Sequence, residues 1–405
     1  MSSRAKSREL KQKIVNKKIK MKKLFFITAI AGVALASCTK NEVAQSVNDQ
    51  KAISFASPVV GLTTKAPTYG LIEDKYPEEQ GFSVWGWYSE EESYDGVGVA
   101  YMTDVDVEYV NTDHNEEETP DFGAWEPETP YFWPKNGKLT FDAYSPSDIQ
   151  GLEGCVVSCD DATGLTIANY TVPTDLTKQF DVLYSSRAYN KNSSIGSTEE
   201  PFHNYEGVDI VFNHALAAIK FNVAQAAEYA QGTIRLETIT VNAHKLGTFT
   251  QNINTEQTAD DPVWSTGTPA DFNILALSEY ASSKDLAETT INAEGVATTT
   301  NKAYETEAVL ILPQTFDETD ATITVTYFIK NGDETPLRQT HTFDLSDAKN
   351  QNGVDENEEV VSVASWDMGK IYTYNITIGL QDIYFAPTVQ DWDEYATVTL
   401  PSINN

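Results

Sequence analysis

The sequence predicts an all-β protein, and three features carry that prediction. Apolar and polar residues alternate with period two in several stretches. In "ATITVTYFI", Ile323, Val325, Tyr327 and Ile329 fall on one face and Thr322, Thr324 and Thr326 on the other, as in a half-buried strand. "IYTYNITI" repeats the pattern, with Tyr372, Tyr374, Ile376 and Ile378 opposite Thr373, Asn375 and Thr377. Clusters such as "KNGK" and "KNGDETP" supply the Gly, Asn and Asp that hairpin turns require. Long amphipathic helices are missing; only 224–230 and 277–290 read as short helices. Further strands are expected at "ISF", "FSVWGWY", "LTFDAYSP", "AIKFNV" and "TITVNA".

The chain has 405 residues, 40% of them hydrophobic and 11% aromatic. That is enough apolar material for packed cores, which excludes a disordered acidic chain. Its length suggests two domains. The polar Ser, Asn and Gly-rich stretch Ser186–Gly207 has the composition of a linker or long surface loop. The expected division is a β-sandwich over 52–202 and a second over 203–405. No internal period of 20–50 residues is present, which argues against solenoids and propellers.

At the other end, Lys22 and Lys23 precede an apolar run from Leu24 to Ala36. A spanning helix needs about 20 apolar residues, whereas a run of about 10–14 suits the hydrophobic region of an export signal. The run ends in Leu35-Ala36-Ser37-Cys38, which resembles the lipobox of bacterial lipoproteins. The resemblance implies that Cys38 is lipidated and becomes the first residue of the mature chain. Residues 1–37 then form an upstream extension and lipoprotein signal peptide, with Met21 read as the start. Residues 38–51 form a polar tether. Discarding 1–37 leaves 18 basic and 59 acidic residues, a net charge of −41. Such a chain repels nucleic acid and anionic lipid surfaces, so no nucleic-acid partner is expected.

Chemistry is hard to find. The chain has no GxSxG, HExxH, Walker or GxGxxG motif, and its five histidines are scattered. No catalytic residue, metal or cofactor is expected. The acidic stretch 104–121 reads as a solvated loop, with calcium binding the alternative. Cys155 and Cys159 in a continuous strand would lie about 13 Å apart on one face, too far for a disulfide. They read as structural cysteines, free or locally bridged. Trp85, Trp87, Trp125 and Trp133 read as core, the alternative being an exposed sugar-stacking platform. His214, in an apolar strand, reads as a satisfied core residue.

Four stretches in order resemble the fimbrillin family, the type V pilins of Bacteroidetes. They are "DVLYSSRA" (181–188), "VFNHALAAIKFNV" (211–223), "LILPQTF" (310–316) and "GKIYTYNITI" followed by "VQDW" (389–392). The second carries a Phe-x-His-x-Leu-x-x-Ile-x-Phe pattern through Phe212, His214, Leu216, Ile219 and Phe221. The resemblance implies two transthyretin-like β-sandwich domains, assembly with other pilin subunits, a lipid anchor in the outer membrane and no enzymatic activity. It also implies cleavage after a basic residue that follows the first strand, here Lys65 after the strand candidate Ala52–Val60. A strand from another subunit then fills the groove; the candidate donor face is Ala396, Val398 and Leu400. The competing reading leaves Lys65 in an uncut loop and 395–400 in its own sandwich. Two other functions are carried: a surface glycan-binding lipoprotein with an exposed aromatic ledge, and a surface hydrolase. A host or bacterial surface ligand fits the first two functions.

Overall fold

The alternating stretches do form strands. The computed structural model describes residues 52–60, 76–90, 98–110, 124–193, 207–226, 232–253, 262–295, 297–316, 321–346, 353–354, 360–361, 363–379 and 383–391. Among the described residues no helix is long and apolar enough to cross a membrane.

The first sheet contains β1 (Val59–Val60), β2 (Phe82–Ser89), β3 (Val99–Val110), β4 (Ala124–Pro127), β5 (Lys138–Ser145), β8 (Leu183–Ser185), β9 (Ala188–Lys191) and β10 (Val211–His214). Its order is β1-β10-β8-β5-β2-β3-β4, with β9 also on β5. The second contains β6 (Val156–Asp160), β7 (Gly164–Thr171), β13 (Leu246–Thr250) and β14 (Val263–Thr266), in the order β14-β13-β7-β6. The third contains β11 (Ala217–Gln225), β19 (Tyr304–Glu305), β20 (Val309–Ile311), β27 (Lys370–Ile378) and β28 (Ile383–Asp391). It runs β19-β11-β27-β28, with β20 also on β11. The fourth contains β12 (Gly232–His244), β15 (Pro269–Ala276), β16 (Lys284–Asp285), β22 (Thr322–Asn331) and β23 (Leu337–Asp344). It runs β15-β12-β22-β23, with β16 also on β12. Three ribbons complete the set: β17 (Ala287–Ile291) with β18 (Ala297–Asn301), β21 (Gln314–Thr315) with β26 (Ser365–Trp366), and β24 (Gly353–Val354) with β25 (Val360–Val361).

The expected faces are found for the most part, although Thr326 is also buried and Ile329 only half-buried. In β22, Ile323, Val325 and Tyr327 are buried, while Thr324 meets Thr342 across the strand pair at 3.0 Å. "KNGDETP" closes the β22–β23 hairpin. In β27, Tyr372, Tyr374, Ile376 and Ile378 are buried. Three readings are corrected. Ala224 and Gln225 end β11 rather than opening a helix. Residues 277–290 hold turns, β16 and part of β17 rather than a helix, because Arg235 binds Ser283 and Asp285 and draws the segment onto β12. Residues 104–110 belong to β3 rather than to a loop. Val107 is buried and Val105 and Tyr109 half-buried, while Asp104, Asp106 and Glu108 face outward, so the carboxylates occupy the solvent side of a strand.

Burial divides into two clusters. One fills the inner face of the first sheet around Phe55, Phe82, Trp125, Phe141 and Phe212. The other runs from Trp85, Tyr144 and Tyr170 through Phe221 and Phe249 to Trp366 and Tyr374. Strand pairing crosses residue 202 in three places: β10 joins both β1 and β8, and β13 joins β7.

Candidate functional site: the N-terminal segment and its groove

Residues 52–60 lie in a slot of the first sheet. Their sequence, "AISFASPVV", places Ile53, Phe55, Ala56 and Val60 inward, all buried. The backbone is held from both sides. On one side, Ile53 N–H donates to the Tyr131 carbonyl at 2.7 Å and Phe55 N–H to that of Trp125 at 2.9 Å. On the other, Ala56 N–H donates to Val208 O (3.0 Å), Val208 N–H to Ser54 O (2.9 Å) and Val59 N–H to Ile210 O (3.1 Å). Val59 and Val60 then run parallel to Val211 and Phe212.

The slot floor is aromatic. The Phe55 ring meets those of Phe82 and Phe141 edge-on, each with centroids 5.6 Å apart. Phe82 also contacts Trp125 and Phe212. Tyr76 stacks on Phe212 at 5.5 Å and shares a 2.6 Å hydrogen bond with Ser145 Oγ. Burial holds its phenol well above the ordinary range, although Ser145 and Gln80 pull the other way. Gly207 makes close approach possible: a Cβ there would overlap the backbone of Phe55 and Ala56.

Two buried polar pairs tie strands of the first sheet to their neighbours. Arg187 clamps Asp142 through Nη2 (2.7 Å) and Nε (2.9 Å), and Trp87 Nε1–H donates to the same carboxylate at 2.9 Å. Arg187 Nη1 also donates to the Asp161 carbonyl at 2.7 Å. His214 Nδ1 lies 2.7 Å from Asp181 Oδ2, both side chains buried. Cys155 and Cys159 are free thiols. Cys159 Sγ donates to Asp142 Oδ2 at 3.6 Å, and burial, followed by the Asp142 charge, raises its pKa well above the usual thiol value. Trp85, Trp87, Trp125 and Trp133 are all buried, so they form core and not a sugar platform. Asp106 accepts from Ser83 Oγ at 2.7 Å and Asp104 from Tyr144 Oη at 3.2 Å.

The anticipated segment 52–60 is seated in the sheet, but only Val59–Val60 forms a strand, and Ala52 and Phe55 make isolated bridges. Cys38, Lys65, Ala396, Val398 and Leu400 lie outside the described residues. Sequence reasoning did not find Gly207 or the carbonyls of Trp125 and Tyr131. The only signal for Gly207 was a glycine just ahead of an alternating apolar stretch.

A family model described as fimbrillin-like matches residues 74–392. The chain belongs to the fimbrillin-like family. Membership makes this fimbrillin-like chain a fimbrial or adhesin-like protein of the cell surface. Among solved structures, a fimbrial protein from Bacteroides vulgatus is 15% identical and has a TM-score of 0.45, covering 84% of this chain and 99% of that one. A proposed cell adhesion protein from Bacteroides uniformis is 15% identical with a TM-score of 0.39, covering 85% and 99%. The family assignment rests on the sequence match and not on these likenesses. No curated protein matches the chain.

Proposed function

We propose that this fimbrillin-like chain is a structural or adhesive subunit of cell-surface fimbriae. It is exported as a lipoprotein acylated at Cys38, held in the outer membrane, and assembled by strand donation after cleavage at Lys65. The observation that carries this reading is the double-sided seating of residues 52–60. Ile53, Phe55 and Val60 complete an apolar core, and burying each such side chain is worth about 1.5–3 kcal/mol. Once the segment is gone, the carbonyls of Trp125, Tyr131, Val208 and Ile210 and the N–H of Val208 lose their partners. Each buried group left unsatisfied costs about 1–3 kcal/mol. An edge with open apolar subsites and unpaired backbone is a template for an incoming strand. The C-terminal stretch "YATVTLPSINN" offers Ala396, Val398 and Leu400 on one face. The cysteine anchor would carry several acyl chains, which hold a membrane far better than one.

The test uses Lys65→Ala and a deletion of residues 395–405. Unboiled gel electrophoresis of surface-shed material from wild type should give a ladder of multiples, and both variants should give monomer. Ladders at full strength in both variants would exclude donation through these segments. Intact-mass analysis should find Cys38 as the acylated N-terminus; an unmodified Cys38 would remove the anchor from the account.

A further inference from the structure

Away from the slot, an open surface pocket of about 620 Å³ lies beside the fourth sheet. That volume falls within the usual range for small-molecule sites, roughly 300–1,000 Å³. Its lining includes Ser283, Lys284, Asp285, Glu288, Lys302 and Tyr304. One wall is fixed by Arg235, which donates to Ser283 Oγ at 2.9 Å and Asp285 Oδ2 at 2.7 Å. The same guanidinium lies over the Tyr280 ring, 5.1 Å from its centroid. The opposite wall is held by backbone: Lys302 N–H donates to the Leu286 carbonyl at 2.9 Å, and Tyr304 pairs with Val223.

The lining has a distinct chemistry. Lys284, Lys302 and Glu288 offer both donors and an acceptor, while Asp285 is already bound by Arg235. The Lys302–Glu288 pair is 4.0 Å long, with side chains 60% and 59% exposed. Exposed pairs of this kind are weak, which leaves their polar ends open to a ligand. Lys284 Nζ stands 5.9 Å from the centroid of the Tyr304 ring, at the outer limit of cation–π contact. A cation would face the lysines and an anion would face Glu288 and Asp285. A purely apolar ligand would strip water from these charges. A neutral polyol with one C–H face satisfies the whole set: its hydroxyls both donate and accept, and its apolar face meets the aromatic ring.

We propose that this pocket binds a neutral saccharide unit, stacked on Tyr304 and hydrogen-bonded by Lys284, Glu288 and Lys302. The site is independent of strand donation, and its test does not involve polymer. The full chain is titrated with the methyl glycosides of glucose, galactose, mannose and N-acetylglucosamine, with glucuronic acid as the anionic control. Saturation-transfer NMR detects contact and calorimetry measures affinity. At least one neutral glycoside should bind in the millimolar range. Tyr304→Ala and Glu288→Gln should weaken it by about tenfold, and Tyr304→Phe should bind like wild type. Glu288→Gln and Lys302→Ala alter exposed side chains, so they test the site even if Tyr304→Ala fails to fold. Three results would each overturn the proposal: no neutral glycoside binds, Glu288→Gln and Lys302→Ala both bind like wild type, or glucuronic acid binds more tightly than every neutral glycoside.

Discussion

Arg187 and Asp142 are each 1% exposed at the side chain. Such a pair contributes little net stability relative to an apolar replacement of both partners, but breaking one side strands a buried charge. Arg187→Met should therefore lower unfolding stability by about 3–5 kcal/mol, read by urea titration. A loss below 1 kcal/mol would mean that Asp142 finds another partner. Cys159 donates to the same carboxylate, and its raised pKa leaves little thiolate at pH 8. Iodoacetamide should thus spare Cys159 in the native protein and label it in urea, as followed by peptide mass mapping. Native labelling at the rate of a free thiol would contradict the packing described. Part of this was legible. His214 read as a core residue, and it is buried with Nδ1 on Asp181; the cysteines read as structural. Their partners were not, because Asp181 lies 33 residues from His214 and Asp142 lies 45 from Arg187. Side-chain pairing over such separations leaves no periodicity to read.

At the scale of elements, the family-like stretches turn out to be points where side chains stand in for backbone or fasten turns. The glutamine of "LILPQTF", Gln314, accepts from the His244 N–H at 3.1 Å and donates to its carbonyl at 3.3 Å, as a neighbouring strand would. In "GKIYTYNITI", Tyr374 Oη accepts from Trp366 Nε1–H at 2.7 Å, and Tyr372 Oη accepts from the Asp367 N–H at 2.8 Å. The motif pattern was readable; these bonds were not. Strand β3 was misread for a related reason: "DVDVEYV" alternates, but its carboxylates dominate the composition. The segment 52–60 was readable as extended, core-facing chain because Ile53, Phe55 and Val60 punctuate polar and small residues, although only Val59–Val60 is a strand. Phe55→Ala in the uncut chain should cost about 3–5 kcal/mol, measured by denaturant unfolding. Gly207→Ala should force the segment away from Val208. Hydrogen exchange at the Phe55 and Ala56 amides should then accelerate, while the β22 amides keep wild-type protection. Unchanged exchange at those two amides would show that the slot adjusts around the added methyl.

For the molecule as a whole, all-β architecture was legible because period-two alternation and turn residues are local signals. Sheet order was not: β11 lies parallel to β27, pairing Ala218 with Ile371, and such long-range pairing is invisible to local patterning. The interleaving of β10 and β13 with strands before residue 202 arises in the same way. At this scale we propose that residues 52–60 are a removable segment whose slot another chain refills. N-terminal sequencing of the polymer-forming material tests it most directly. Chains in polymer should begin at Ala66, the residue after Lys65, and lack Ile53 and Phe55. Polymer built from chains that still carry Ala52–Val60 would contradict it.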